Sequence, residues 1–174
     1  MNCDAHIHRS PSELIAAQGA RLRALVGERL HRSWIAWDAS ADTWWPDEAI
    51  VLQIGERQLE LCCLETEWLA VSWSSIQLET TPRYVADWDE NRLEWREDAH
   101  AVLARVRGAT LQSIQLIQGR LRVWKDAGDW EESWGLGGLE LSFSTGIVRV
   151  VNGLDGNELE SDPDPGPHRL RTPL

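Results

Sequence analysis

Apolar and polar residues alternate most cleanly between Ile50 and Trp73. Ile50, Leu52 and Ile54 share one parity, and Leu59, Leu61 and Cys63 follow after the Gly55-Glu56-Arg57 turn. Leu69, Val71 and Trp73 complete the set beyond Glu65-Thr66-Glu67. Period-two runs joined by short polar turns predict an antiparallel meander with one solvated face. Arg29 to Trp37 predicts a strand before it, so the first meander covers about 29–74, interrupted by a polar loop through Asp38, Asp42 and Pro46.

Helical spacing is confined to two stretches. Ser10-Pro11-Ser12-Glu13 has the form of a helix start: a capping Ser, Pro at the first helical position and Glu to complete a capping box. With Leu14, Ile15, Ala17, Leu22 and Leu25 it predicts a helix over about 11–25, stopped by Gly27. Ala99, Val102, Leu103 and Val106 predict a second helix over about 97–106, ending before Gly108. A second set of strands covers about 110–151: 110–118, 121–124 with Gly119 at or near the turn, Leu136 to Ser144, and a return from Ile147 to Val151. An acidic loop, Asp126 to Glu132, lies among them. Four prolines crowd between Pro163 and Pro173, so residues 161–174 read as a flexible Pro-rich tail. The expected fold is α+β, a mostly antiparallel β-sheet with two helices packed on it, as a single domain over 1–160.

Charge narrows the classes of partner. The 174 residues carry 28 acidic and 17 basic side chains, a net charge of −11. That field repels phosphate backbones and anionic lipid, so neither nucleic acid nor membrane is expected as a partner, whereas encounter with a basic protein is accelerated. Cys3, Cys62 and Cys63 form no disulfide framework, which with the absence of a secretory apolar run near the start predicts a cytoplasmic protein.

Catalytic chemistry is poorly provided for. Asp4-Ala5-His6-Ile7-His8 carries the HxH pair of metal-dependent amidohydrolases, but those enzymes need a far longer barrel with further ligands. Cys62 or Cys63 with His100 makes a dyad only on paper, because both cysteines lie in an alternating strand. Gly135-Leu136-Gly137-Gly138 lacks a phosphate-loop lysine; glycines beside Trp134 mark a bulge or a close backbone approach. Asp155-Gly156-Asn157-Glu158 fails the spacing of a calcium loop. No catalytic residue, metal or cofactor is expected.

What stands out is tryptophan, with 11 residues against one Tyr and one Phe. Several sit among acids: Trp44, Trp45, Asp47 and Glu48; Asp87, Trp88, Asp89 and Glu90; Asp129, Trp130, Glu131 and Glu132. An indole left in a polar loop must fold back onto the core or meet a partner, and surrounding carboxylates suit a partner rich in Lys and Arg. These twelve residues are the expected partner-binding set.

In its order of features the chain resembles bacterial immunity proteins of polymorphic or contact-dependent toxin systems. The residues that carry the likeness are Val26-Gly27, Trp37-Asp38, Trp73 with Ile76, Leu93-Glu94-Trp95, Gly108 with Leu111, Trp134 to Leu139, and Asn152 to Asn157. The resemblance implies a non-catalytic inhibitor that covers the active site of a cognate protein toxin, and the chain's acidic charge adds the expectation that this active-site surface is basic. Two alternatives remain open: a scaffold that assembles into a homo-oligomer, and a small metal-dependent hydrolase built on Asp4, His6 and His8.

Overall fold

The computed structural model describes residues 7–64, 68–82, 92–124, 130–153, 156–161 and 169–174, leaving out the side chains of 121–124, 130, 131 and 133. Two antiparallel sheets and two short helices make up these residues.

The first sheet grows from the predicted meander. Strands β4 (Ile50–Ile54), β5 (Arg57–Leu64) and β6 (Trp68–Trp73) pair in sequence, with Ile50 opposite Leu61 and Leu61 opposite Val71. β1 (Ile7–His8) extends the sheet beyond β6, and β2 (Leu30–Asp38) extends it beyond β4. β2 also pairs with β3 (Thr43–Trp44) and β7 (Leu93–Glu97). The predicted core parity holds, since Ile50, Leu52, Ile54, Leu59, Leu61, Cys63, Leu69 and Val71 share one buried cluster.

The opposite face of the meander is not solvated as expected. Val51, Glu60, Cys62, Ala70 and Ser72 are buried there as well. The chain leaving β6 turns back at Ser74, whose φ is 52°, and crosses this face. Glu60 fixes that crossing: its carboxylate accepts hydrogen bonds from Ser75 N–H and Ile76 N–H at 2.7 and 2.8 Å, and from the hydroxyls of Ser72 and Ser75. Burial alone would raise the Glu60 pKa. The bonds from Ser72, Ser75, Ile76 and Gln58 outweigh it and hold the acid below its usual range.

The second sheet is ordered β11-β10-β9-β8-β12. It joins β8 (Leu111–Trp124), β9 (Trp130–Phe143), β10 (Gly146–Asn152), β11 (Asn157–Glu160) and β12 (Arg169–Pro173). The 144–146 turn is as predicted, with Ile147 opposite Ser142. Gly119 is no turn, however: it lies inside β8 opposite Gly135, and Trp130 to Glu132 are strand where an acidic loop was expected. Residues 169–174 depart from the expected flexible tail, because β12 pairs with β8 from Gln115 to Gly119. Residues 162–168 lie outside the described residues.

This sheet curls. Laid flat, its outer strands would stand about 19 Å apart. Yet Arg169 on β12 reaches Glu160 on β11 through two bonds of 2.7 and 2.9 Å. Inside the curl Arg149, 2% exposed, donates to Glu140 at 2.6 Å, and Arg171 approaches the same carboxylate at 3.3 Å. Leu116, Leu139, Leu141, Val148 and Val150 face the other way, into the cluster that also holds the first sheet's core residues.

Helix α1 (Pro11–Arg23) begins as the sequence predicts, with Ser10 as cap and Pro11 at the first position. The capping box is displaced by one residue, since Glu13 accepts from the Arg9 amide rather than from Ser10. Leu14 and Leu22 belong to the shared cluster. The second helix is much shorter than predicted. α2 is Ala101–Ala104, because Glu97 still pairs with Trp34 and Asp98, at φ 48°, turns the chain. His100 caps it through Nδ1.

Candidate functional site

The four predicted site residues around Pro46 turn inward. Trp44 is half-buried against the core cluster and meets His100 edge-on, with ring centroids 5.1 Å apart. Its indole N–H is buried without a hydrogen-bond partner. Trp45 and Asp47 are half-buried, and Glu48 is 3% exposed. Burial raises the Glu48 carboxyl to about 7. This loop is therefore part of the protein's own packing and not the open acidic surface that composition suggested.

Asn157 explains why, and no motif singled it out. Buried at the start of β11, it donates from Nδ2 to the carbonyls of Pro46 and Glu48 at 2.8 and 2.7 Å. Its Oδ1 accepts from Cys63 N–H at 2.7 Å, just past the Ile50–Leu61 pair where the β4–β5 ladder ends. One amide side chain thus ties the 44–48 loop, the first sheet and the second sheet together. Composition cannot reveal such a clasp.

Arginine covers several of the half-buried indoles. Arg96 stacks over Trp37 at 4.6 Å, Arg9 over Trp68 at 4.5 Å and Arg21 over Trp73 at 4.5 Å. Trp37 donates to Asp42 and Trp73 to Gln18, each at 3.0 Å. The hydrogen bonds from Trp37 and Arg96 hold Asp42 below the usual carboxylate range. The Trp37 and Trp73 indoles thus find both a cation and a hydrogen-bond acceptor within the chain.

Trp134 is different. It is the one exposed Trp among the described side chains, with 41% of its surface open. It lies in β9 opposite Arg120, and Arg120 forms an ion pair with Glu132, itself exposed. The strands carrying these residues run past the rest of their sheet. β10 leaves β9 at Gly138 and β12 leaves β8 at Gly119, so 120–124 and 130–136 continue as a two-stranded ribbon among the described residues.

A bulge sets the ribbon off. Ile117 pairs with Gly138 and Gln118 with Leu136, leaving Gly137 as the extra residue. Glycine is required beside it: a Cβ on Gly138, at φ 150°, would fall 2.1 Å from the Val150 carbonyl oxygen. A β-bulge disrupts the ladder locally: here pairing with β10 ends at Gly138, while pairing with β8 resumes at Gln118–Leu136. The expectation of a bulge and close approach at Gly135 to Gly138 is met.

No protein-family model, curated protein or solved structure matches the chain.

The remaining predicted residues divide by position. Asp87, Trp88, Asp89, Glu90 and Asp129 lie outside the described residues, as do Asp4 and His6. Trp130, Glu131 and Glu132 fall on the ribbon, where register sets Trp130 opposite Trp124 and Glu132 opposite Arg122. His8 is buried in β1. Cys63 is buried too, and burial pushes its thiol up to about 12, unsuited to a nucleophile at neutral pH. Among the described residues no group of three His, Cys, Asp or Glu is placed to hold a metal, and no helix is long and apolar enough to cross a membrane.

Proposed function

We propose that this protein is a non-catalytic, cytoplasmic immunity-type protein that binds a cognate protein toxin and covers its active site. In this reading the chain is one domain with both helices packed on its sheets, and the contact surface is the β8–β9 ribbon rather than the 44–48 loop. The observation that carries it is Trp134: a large indole left open on a ribbon, while the half-buried indoles of Trp37, Trp68 and Trp73 are covered by arginine.

Three further features support the reading. Tryptophan is enriched among residues that dominate binding energy, so an open one is a natural anchor. Glu131 and Glu132 sit beside it in sequence, and the whole chain carries a net charge of −11. Carboxylates presented by an inhibitor can occupy ground that a basic active site reserves for an anionic substrate.

The test uses the toxin encoded beside the protein's own gene. Susceptible bacteria expressing that toxin should grow when this protein is co-expressed. Truncation of Trp134 to Ala should weaken toxin binding by about 30-fold, the equivalent of ~2 kcal/mol at a buried anchor. Thermal unfolding should change far less than binding, since Trp134 lies outside the core cluster. Absence of protection by the wild-type chain would overturn the reading.

A further inference from the structure

Cys62 and Cys63 are neighbours in β5 with different surroundings. Cys63 belongs to the main core, whereas Cys62 sits in the small cluster on the other face with Ala49 and Ala70. The chain between β3 and β4 passes this cluster. Cys62, 1% exposed, has its Sγ 4.0 Å from the Asp47 carbonyl oxygen. Residues 45–48 therefore lie beside one thiol while the other points into the core.

Polar contacts hold these residues down. Trp45 donates its amide to the Ala36 carbonyl at 2.9 Å. Asn157 donates its own amide to the Pro46 carbonyl at 2.9 Å, and its side chain to the carbonyls of Pro46 and Glu48. The cluster alongside is built on Ala49, Cys62 and Ala70, whose small side chains bury less apolar surface than leucines would.

Glu48 works against this closure. It is 3% exposed, and its Oε1 is buried with no hydrogen-bond partner among the described residues. Burial is the largest influence on its acidity and outweighs the amino terminus and the Ala49 amide, which both favour ionisation, while Asp47 opposes it. The carboxyl is raised to about 7, so the closed arrangement suits the neutral acid and is disfavoured by the anion. Segments secured mainly by such bonds open locally at lower free energy than the whole fold.

We infer that residues 45–48 form a strap that lifts when Glu48 loses its proton and uncovers Cys62 while the core stays folded. The hinges are Trp44 at the end of β3 and Ile50 at the start of β4. Lifting carries Glu48 into water, where its charge is hydrated, and releases the clasp of Asn157. A carboxyl held at about 7 when closed and near the ordinary 4.5 when lifted fixes the direction. Opening gains nothing below pH 4.5, becomes easier as pH rises, and levels off above 7. The inference does not rest on the binding function proposed above, since neither the strap nor Cys62 belongs to the β8–β9 ribbon.

The experiment is alkylation of the folded, full-length protein by iodoacetamide at low conversion, with Cys62 and Cys63 distinguished by fragment mass spectrometry. Wild type and Glu48→Gln are compared at pH 6 and pH 8, so that the intrinsic reactivity of the thiol cancels in their ratio. The wild-type to variant ratio of Cys62 labelling should rise about tenfold between the two pH values. Cys63 should stay unlabelled on the same timescale, and Asn157→Ala should speed Cys62 labelling at both pH values. A ratio indifferent to pH overturns the inference. Cys63 labelling in step with Cys62 means that the whole fold opens, and overturns it as well. So does a folded Asn157→Ala protein that labels no faster than wild type; should that variant fail to fold, the ratio alone decides.

Discussion

Glu48, in the loop before β4, and Glu60, in β5, show how two buried acids acquire opposite characters. Glu60 is met by backbone and hydroxyl donors, whereas Glu48 has one carboxylate oxygen buried without a hydrogen-bond partner. Desolvation therefore outweighs the backbone hydrogen bond from Ala49 at Glu48, and its carboxyl rises from 4.5 to about 7. The sign of the linkage follows. Below pH 4.5 the group is protonated whether the chain is folded or not, and it exacts no penalty. As pH climbs toward 7 the unfolded chain ionises freely while the folded one resists, so stability falls, and above 7 the loss is constant. Glu48→Gln removes this titration. Urea unfolding at a series of pH values should find variant and wild type diverging across that window, with the variant ahead by ~3 kcal/mol at the upper end. Under the proposed function, binding to the toxin should be unaffected, since Glu48 is not on the ribbon. At this scale the sequence was a poor guide. Trp44 and Glu48 have the composition of an exposed acidic loop, and what turns them inward is Asn157, more than a hundred residues away.

Elements were legible wherever a single face decides them. Ile50, Leu52 and Ile54 announce a strand because their parity is the core's parity, and Ser10-Pro11 announces a helix because capping is local. Elements settled by distant partners were not. Leu93 to Glu97 carries no clean alternation and becomes a strand only beside β2. Gly119 looks like a turn, yet it is held in β8 by Gly135 across the ladder. Arg169 to Pro173 is the clearest case. It has two arginines and a proline, no apolar period, and an exposed Leu170, so nothing local favours order. Its order comes from the β8 edge, from Glu160 and Glu140, and from the Leu174 amide bonding to the Ile114 carbonyl at 3.1 Å. Deleting residues 169–174 should therefore destabilise the protein by about 3 kcal/mol, the sum of several charge-assisted and ladder bonds. The measurement is the urea midpoint of the shortened chain against the full one. An unchanged midpoint would mean that β12 contributes no net stability.

At the scale of the whole molecule, half of the arginines with described side chains are already paired with acids, and this shapes the field a partner meets. Arg32 and Arg107 pair with Glu97, Arg96 with Asp42 and Glu94, Arg120 with Glu132, Arg149 with Glu140, and Arg169 with Glu160. Pairing of this kind cancels positive charge close to its source, so the excess of 28 acids over 17 basic residues dominates at longer range. Such a field acts before contact, by drawing a cationic surface in, and it decays over ~10 Å at 0.1 M salt. In the proposed complex, short-range contacts at the ribbon, Trp134 above all, act after contact and should govern how long it lasts. The two contributions separate in a stopped-flow series with the toxin. Raising salt from 0.05 to 0.5 M should lower the association rate by about tenfold and leave dissociation nearly unchanged. Trp134→Ala should do the reverse, speeding dissociation at every salt concentration while preserving the slope of association against salt. An association rate indifferent to salt would show that the net charge plays no part in finding the partner, and that the ribbon must account for recognition alone.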